Sequence, residues 1–121
     1  TNFNSIVEGC VLRIGISTTA TFISVQSGGC IVQGNLLSSP NVRTFTGIVA
    51  GGSAMIADNN INNLDTCVDL GSQVFCTVVR NRFTGATTTV SGTSLASSHI
   101  GPSLTPAGVA AATNPHANYV A

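Results

Sequence analysis

Charge is what this 121-residue chain has least of. It contains no lysine. Its only strong cations are Arg13, Arg43, Arg80 and Arg82, and its only acids are Glu8, Asp58, Asp65 and Asp69. Charged residues make up 7% of the sequence, against about 25% in an ordinary soluble domain. A surface built from Ser, Thr, Asn, Gln and backbone is poorly protected from self-association, so much of it is expected to be covered by partners. The competing reading is a small neutral secreted domain. With a net charge of zero and no basic run, neither nucleic acid nor an anionic membrane is an expected partner. No apolar stretch approaches the roughly 20 residues needed to span a bilayer. No secretory signal is present, and a start at Thr1 rather than Met is read as a processed or partial chain.

Metal and cofactor signatures are also missing. Cys10, Cys30, Cys67 and Cys76 form no CxxC, and the two histidines, His99 and His116, are not at metal-ligand spacing, so no zinc site or cofactor is expected. There is no Asn-x-Ser/Thr sequon. The glycine pairs 28–29 and 51–52 make neither a GxGxxG nor a P-loop and are read as corners.

What the chain does have is β-branched residues and glycine throughout, without a capped 3.6-residue periodicity. Short apolar runs broken by Gly, Ser, Asn and Pro predict many short strands. Four segments superimpose without gaps: Ser5–Leu12, Cys30–Leu37, Ala54–Ile61 and Cys76–Phe83. Their first positions are small (Ser5, Cys30, Ala54, Cys76). Their third positions are Val7, Val32, Ile56 and Val78. Their sixth are Cys10, Asn35, Asn59 and Asn81, and their eighth are Leu12, Leu37, Ile61 and Phe83. A second strand follows each segment: Phe22–Val25, Thr46–Val49, Thr66–Leu70 and Thr87–Val90. One such unit cannot bury its apolar face alone. Stacked at the β spacing of about 4.8 Å, the units place equivalent residues over one another and close a continuous interior. Val32, Ile56 and Val78 are then one inner file. Asn35, Asn59 and Asn81 form an amide ladder at a turn where Asn itself adopts the left-handed conformation. Asp58 falls beside Arg80 one coil away, and Arg82 lies on the same strand.

The Ile/Val-x-Gly/Asp-Asn-x-Leu/Ile/Phe segments resemble the right-handed parallel β-helix superfamily from Ser5 to about Gly92. The expected fold is therefore all-β, a right-handed parallel β-helix of about four coils over residues 1–100. A β-sandwich or jelly roll is the alternative. Residues 101–121, with Pro102, Pro106 and Pro115 and a weakly helical run over 107–113, are expected to form a C-terminal cap or an extended arm. Cys10 departs from the Asn column, and Pro102–Leu104 is a poor match to a fifth coil.

That superfamily includes polysaccharide lyases, hydrolases, bacterial surface proteins and phage tailspikes and fibres. The resemblance implies a virion role here, as a tailspike or fibre segment or a capsid decoration protein. The partners would be a second and third copy in a homotrimer and other virion proteins, with a host surface glycan as a further contact. Glycan or partner contact is expected at Asp58, Arg80 and Arg82. The alternative is a polysaccharide-degrading or glycan-binding domain, a lyase or glycoside hydrolase if catalytic. Such enzymes use clustered carboxylates. Here Asp65 and Asp69 are four residues apart with Asp58 on another face, and residues that could support them (Lys, His or Tyr) are rare in the chain. No catalytic residue is assigned, and an enzyme is not expected. A Thr/Ser-rich outer surface (Thr18, Thr19, Thr21, Thr44, Thr46, Thr87, Thr88, Thr89) completes the reading.

Overall fold

The protein is described by a computed structural model covering residues 6–13, 20–26, 28–105 and 113–121. Ser5, Thr18, Thr19 and most of the weakly helical run lie outside these residues. The strands are β1 (Ile6–Glu8), β2 (Val11–Arg13), β3 (Ala20–Val25), β4 (Cys30–Gln33), β5 (Leu36–Ala50), β6 (Ala54–Ala57) and β7 (Asn60–Asp69). They continue with β8 (Thr77–Val79), β9 (Arg82–Thr84), β10 (Thr88–Ser91), β11 (His99–Ile100), β12 (Ser103–Leu104) and β13 (Asn118–Val120). One 3-10 turn, Leu95–Ser97, precedes β11.

Among the described residues every strand pairing is parallel. Five strands stack in the order β1-β4-β6-β8-β11, and eight belong to a second sheet that runs β12-β13-β9-β7-β5-β2 with β3 on β5 and β10 on β7. This is a parallel β-solenoid. Antiparallel hairpins of the kind a sandwich uses do not occur among the described residues.

The repeat is built differently at its corner than the sequence suggests. Each eight-residue segment is two short strands bent around a corner, so a coil has three strand stretches. The bend comes from the fifth position. Gly9, Gly34, Asp58 and Arg80 all have φ between 55° and 66°, the left-handed region that L-residues other than Gly enter at a cost. The Asn that follows is therefore not the left-handed residue. The preceding residue turns the chain, and the Asn side chain is aimed inward. The first two coils use Gly at this point. The next two place the Asp58 and Arg80 side chains there.

Register brings the predicted files into line. Val7, Val32, Ile56 and Val78 pair in sequence, and Ile100 adds a fifth member. Leu12, Leu37, Ile61, Phe83 and Val120 form the second file. Ile23, Ile48, Val68 and Val90 form the third. Members from inner coils are fully buried, whereas Val7, Leu12, Val90, Ile100 and Val120 at the two ends are partly buried. Cys30, Ala54 and Cys76 are the small buried column where the corner is narrow. Cys67 is buried as well, and burial pushes its thiol up to about 12.

The C-terminal segment ends up inside the sheet. Asn118–Val120 forms β13 on β9, where the sequence indicated a cap or arm over 101–121. Its Asn118 is the fifth-coil counterpart of Asn81, out of reach of a gapless repeat because residues 102–117 intervene. Gly101 fits beneath this segment: a Cβ there would overlap the His116 carbonyl oxygen. Gly101→Ala is expected to expel β13, read as rapid proteolysis after Tyr119 or upstream of it while the β4–β9 coils stay protected. Equal protection of both would contradict this packing.

Candidate functional site

The Asn column forms a continuous hydrogen-bonded ladder. Asn59 Oδ1 accepts from the Asn35 amide and from Asn35 Nδ2, both at 3.0 Å. Asn81 Oδ1 accepts the same pair from Asn59 at 3.0 Å. Asn118 Oδ1 accepts from Asn81 N at 3.0 Å and Nδ2 at 3.1 Å. Each Nδ2 also donates to a carbonyl of the coil above: Asn35 to Val7, Asn59 to Val32, Asn81 to Ile56 and Asn118 to Val78. At the top, the Cys10 amide donates to Asn35 Oδ1 at 3.0 Å, but Cys10 offers no amide oxygen to a further coil. The ladder thus has a defined end, and the Cys10 departure marks it. All four Asn are buried, and their polar atoms are paired as buried polar atoms must be.

Outside the corner lies an open groove of about 560 Å³ lined by Glu8, Gly9, Gln33, Gly34 and Asp58. Its groups are already engaged. Gln33 Nε2 donates to Glu8 Oε2 at 2.8 Å. Arg80 and Asp58, one coil apart, form a two-pronged pair: Nε to Oδ1 and Nη2 to Oδ2, each 2.9 Å. The hydrogen bonds from Arg80 hold the Asp58 carboxyl below its ordinary value. The pair is solvent-exposed, with side chains 43% and 50% accessible, so its contribution to stability is small. That contribution is complete above the unfolded carboxylate pKa of about 3.9 and is lost as pH falls through the lowered folded value. Asp58→Asn is expected to lower the melting temperature slightly at pH 7, where the pair is intact, with the difference from the wild type closing as pH falls below about 4. An unchanged acid limb would show that the pair is not coupled to folding.

Arg82 does not join this pair. It lies on β9, where its guanidinium sits 5.6 Å from the centre of the Tyr119 ring on the neighbouring strand. The three residues expected to share a contact surface are therefore divided between a corner and the adjoining face. Asp69 is occupied too: its Oδ1 accepts from the Gly71 amide at 2.9 Å and the Ser91 hydroxyl at 3.2 Å. Thr21, Thr46, Thr66 and Thr88 stack in one file. The His99 and His116 rings meet edge to face at 5.5 Å. Among the described residues no group of three or more His, Cys, Asp or Glu is arranged to hold a metal, and no helix is long and apolar enough to cross a membrane.

The outer face also carries an apolar patch that the repeat does not announce. A shallow groove of about 270 Å³ is lined by Gly29, Cys30, Ile31, Ser53, Ala54, Met55, Phe75 and Thr77. Beside it Phe75 is 78% exposed and has φ of 59°, so a left-handed backbone holds a large aromatic in solvent. Ile6, which pairs with Ile31 on the same outer face, is 62% exposed, and Val11 is 66% exposed. The signal available in sequence was Ile6, Ile31 and Met55 at the second position of the first three segments, opposite in phase to the inner file, with Thr77 at that position in the fourth.

The geometry defines a parallel β-solenoid with an internal amide ladder. Comparisons of the chain with protein-family models, with curated proteins and with solved structures each return no match.

Proposed function

We propose that this chain is a structural module that works by packing against other chains, and that the assembly is a phage particle. It would serve there as a tailspike or fibre segment or as a capsid decoration protein. Phe75 carries the reading. A solvent-exposed aromatic on left-handed backbone costs free energy in an isolated chain, and it borders an apolar groove containing Ile31 and Met55. Aromatic and Met side chains are enriched where protein surfaces meet. The neighbouring file of Ile6 and Ile31 runs along the solenoid axis, and only four Arg and four acids serve the whole molecule. A homotrimer with the solenoid axes side by side fits such a file. The assignment to a virion rests on the resemblance of the coils to those of tailspikes and fibres.

The role is non-catalytic in this proposal. Glu8, Asp58 and Asp69 are each held by a hydrogen-bond partner, and Asp58 is kept ionised by Arg80, which does not suit a general acid. Arg82 over Tyr119 supports glycan contact as a secondary role, since an aromatic with a cation beside it offers both stacking and hydrogen bonding.

Sedimentation across a concentration series tests the assembly reading. The chain is expected to be oligomeric at micromolar concentration, and Phe75→Ser to weaken association at least tenfold with the circular dichroism spectrum unchanged. A wild-type monomer at those concentrations would overturn it. Cleavage of host glycans by the purified chain would replace it with the enzymatic alternative.

A further inference from the structure

We propose that the slot between β9 and β12 is a strand-acceptor site, and that its partner is residues 116–121 of a second copy of this chain. The inference rests on strand order and does not depend on the virion reading. In the preceding coils each strand of the five-stranded sheet leads around the corner into the next strand of the same rung: β4 into β5, β6 into β7, β8 into β9. The fifth rung breaks this rule. β11 stacks on β8, yet β12, which follows it, does not stack on β9. β13 lies between them, paired to β9 through Tyr119–Arg82 and Val120–Phe83 and to β12 through Ser103–Asn118 and Leu104–Tyr119. A strand from elsewhere in the sequence thus fills a gap that the rest of the fold leaves open.

The gap is specific for what fills it. Backbone bonds run along its length. Asn118 N donates to Pro102 O and Tyr119 N to Asn81 O, both at 2.8 Å. Ala121 N donates to Phe83 O at 2.9 Å, and Gly85 N donates back to Ala121 O at 3.1 Å. Arg80 N donates to His116 O at 3.3 Å, so the corner position is occupied as well. One side chain is read individually. Asn118 Nδ2 donates to Gly101 O at 2.9 Å and Val78 O at 3.1 Å, while its Oδ1 takes two bonds from Asn81. This is peptide recognition by strand addition: main-chain bonds give affinity and a side-chain pocket gives selectivity. The pocket selects asparagine.

The segment that fits is this chain's own His116–Ala121. Thirteen residues, 105–117, join β12 to β13, which meets the dozen or so that a connection between parallel strands needs. Filling the slot from a second copy reproduces every contact without any new surface having to be made, which is why exchange of an identical element is a low-cost route to association. The C-terminal strand is therefore a connector between copies.

The test uses full-length chain. A tagged preparation of the Phe75→Ser chain, in which association through the outer apolar face is removed, is mixed with untagged Phe75→Ser chain and, separately, with a dye-labelled peptide of sequence Asn114–Ala121. The expected results are co-purification of untagged chain that excess peptide blocks, and retention of the peptide at least tenfold better than the same peptide carrying Asn118→Ala. A full-length Asn118→Ala acceptor, whose own strand is weakened, should take up the wild-type peptide faster than the wild-type chain does. Failure of both acceptors to retain peptide would overturn the site. Peptide retention without co-purifying chain would overturn the second-copy assignment, as would co-purification that excess peptide leaves unchanged.

Discussion

Asn59→Ala is expected to lower the unfolding free energy by about 2–6 kcal/mol, at roughly 1–3 kcal/mol for each of the two buried groups, Asn35 N and Val32 O, that lose their ladder partner, since Asn35 Nδ2 keeps Val7 O. Asn59 is in the middle of the ladder, 2% exposed. Alanine there removes the acceptor for both Asn35 N and Asn35 Nδ2 and the donor to Val32 O. Asn35 and Val32 are both buried, so solvent does not reach these groups to replace the Asn59 amide. Asn59→Asp is expected to be worse, because it keeps the acceptor, loses the donor and buries a charge. The same alanine substitution at Cys10 should cost far less. There only the backbone amide of residue 10 joins the ladder, and that bond survives. Urea unfolding of the three variants checks the order. Equal costs at 10 and 59 would show that the ladder contributes nothing beyond ordinary side-chain packing.

Phe83→Ala is expected to cost about 3–5 kcal/mol through lost transfer free energy plus the cavity left behind. Phe83 is one of the largest fully buried side chains and stacks between Ile61 and Val120. The rigid rung spacing prevents neighbouring coils from closing on the void, which favours the upper end of the range. Leu12→Ala, at the open end of the same file and only partly buried, should cost distinctly less. The comparison separates position in the stack from chemistry. Denaturant midpoints at unchanged slope are the measurement, and an equal penalty at both positions would mean that the interior is not continuous.

Much of the interior was legible because stacking imposes one chemical requirement on equivalent positions. Val32, Ile56 and Val78 are all β-branched since each packs on the one above it. Asn35, Asn59 and Asn81 recur because each amide completes the next. The spacing also brought Asp58 to Arg80. Residues after Gly92 broke the pattern. Asn118 belongs to the same ladder but is 37 residues from Asn81, so no constant period reaches it. The separation of Arg82 from the Asp58–Arg80 pair was hidden for a related reason. The left-handed residue at position five divides each segment between two faces, and Asp58 and Arg80 do not have the glycine signature that announces such a bend at Gly9 and Gly34. Phe75 carried no warning, since an aromatic next to Cys76 reads as part of a strand.

From the amino-acid order alone came the all-β class, the coil length, the inner files and the identity of the ladder, because each is a property of residues compared at a fixed spacing. Tertiary structure decided which strand closes the fifth rung, where the corner bends, and that Phe75 faces solvent. Those outcomes depend on which distant segment wins a given set of unpaired backbone groups. That competition is settled by geometry in three dimensions, and neither composition nor period records it.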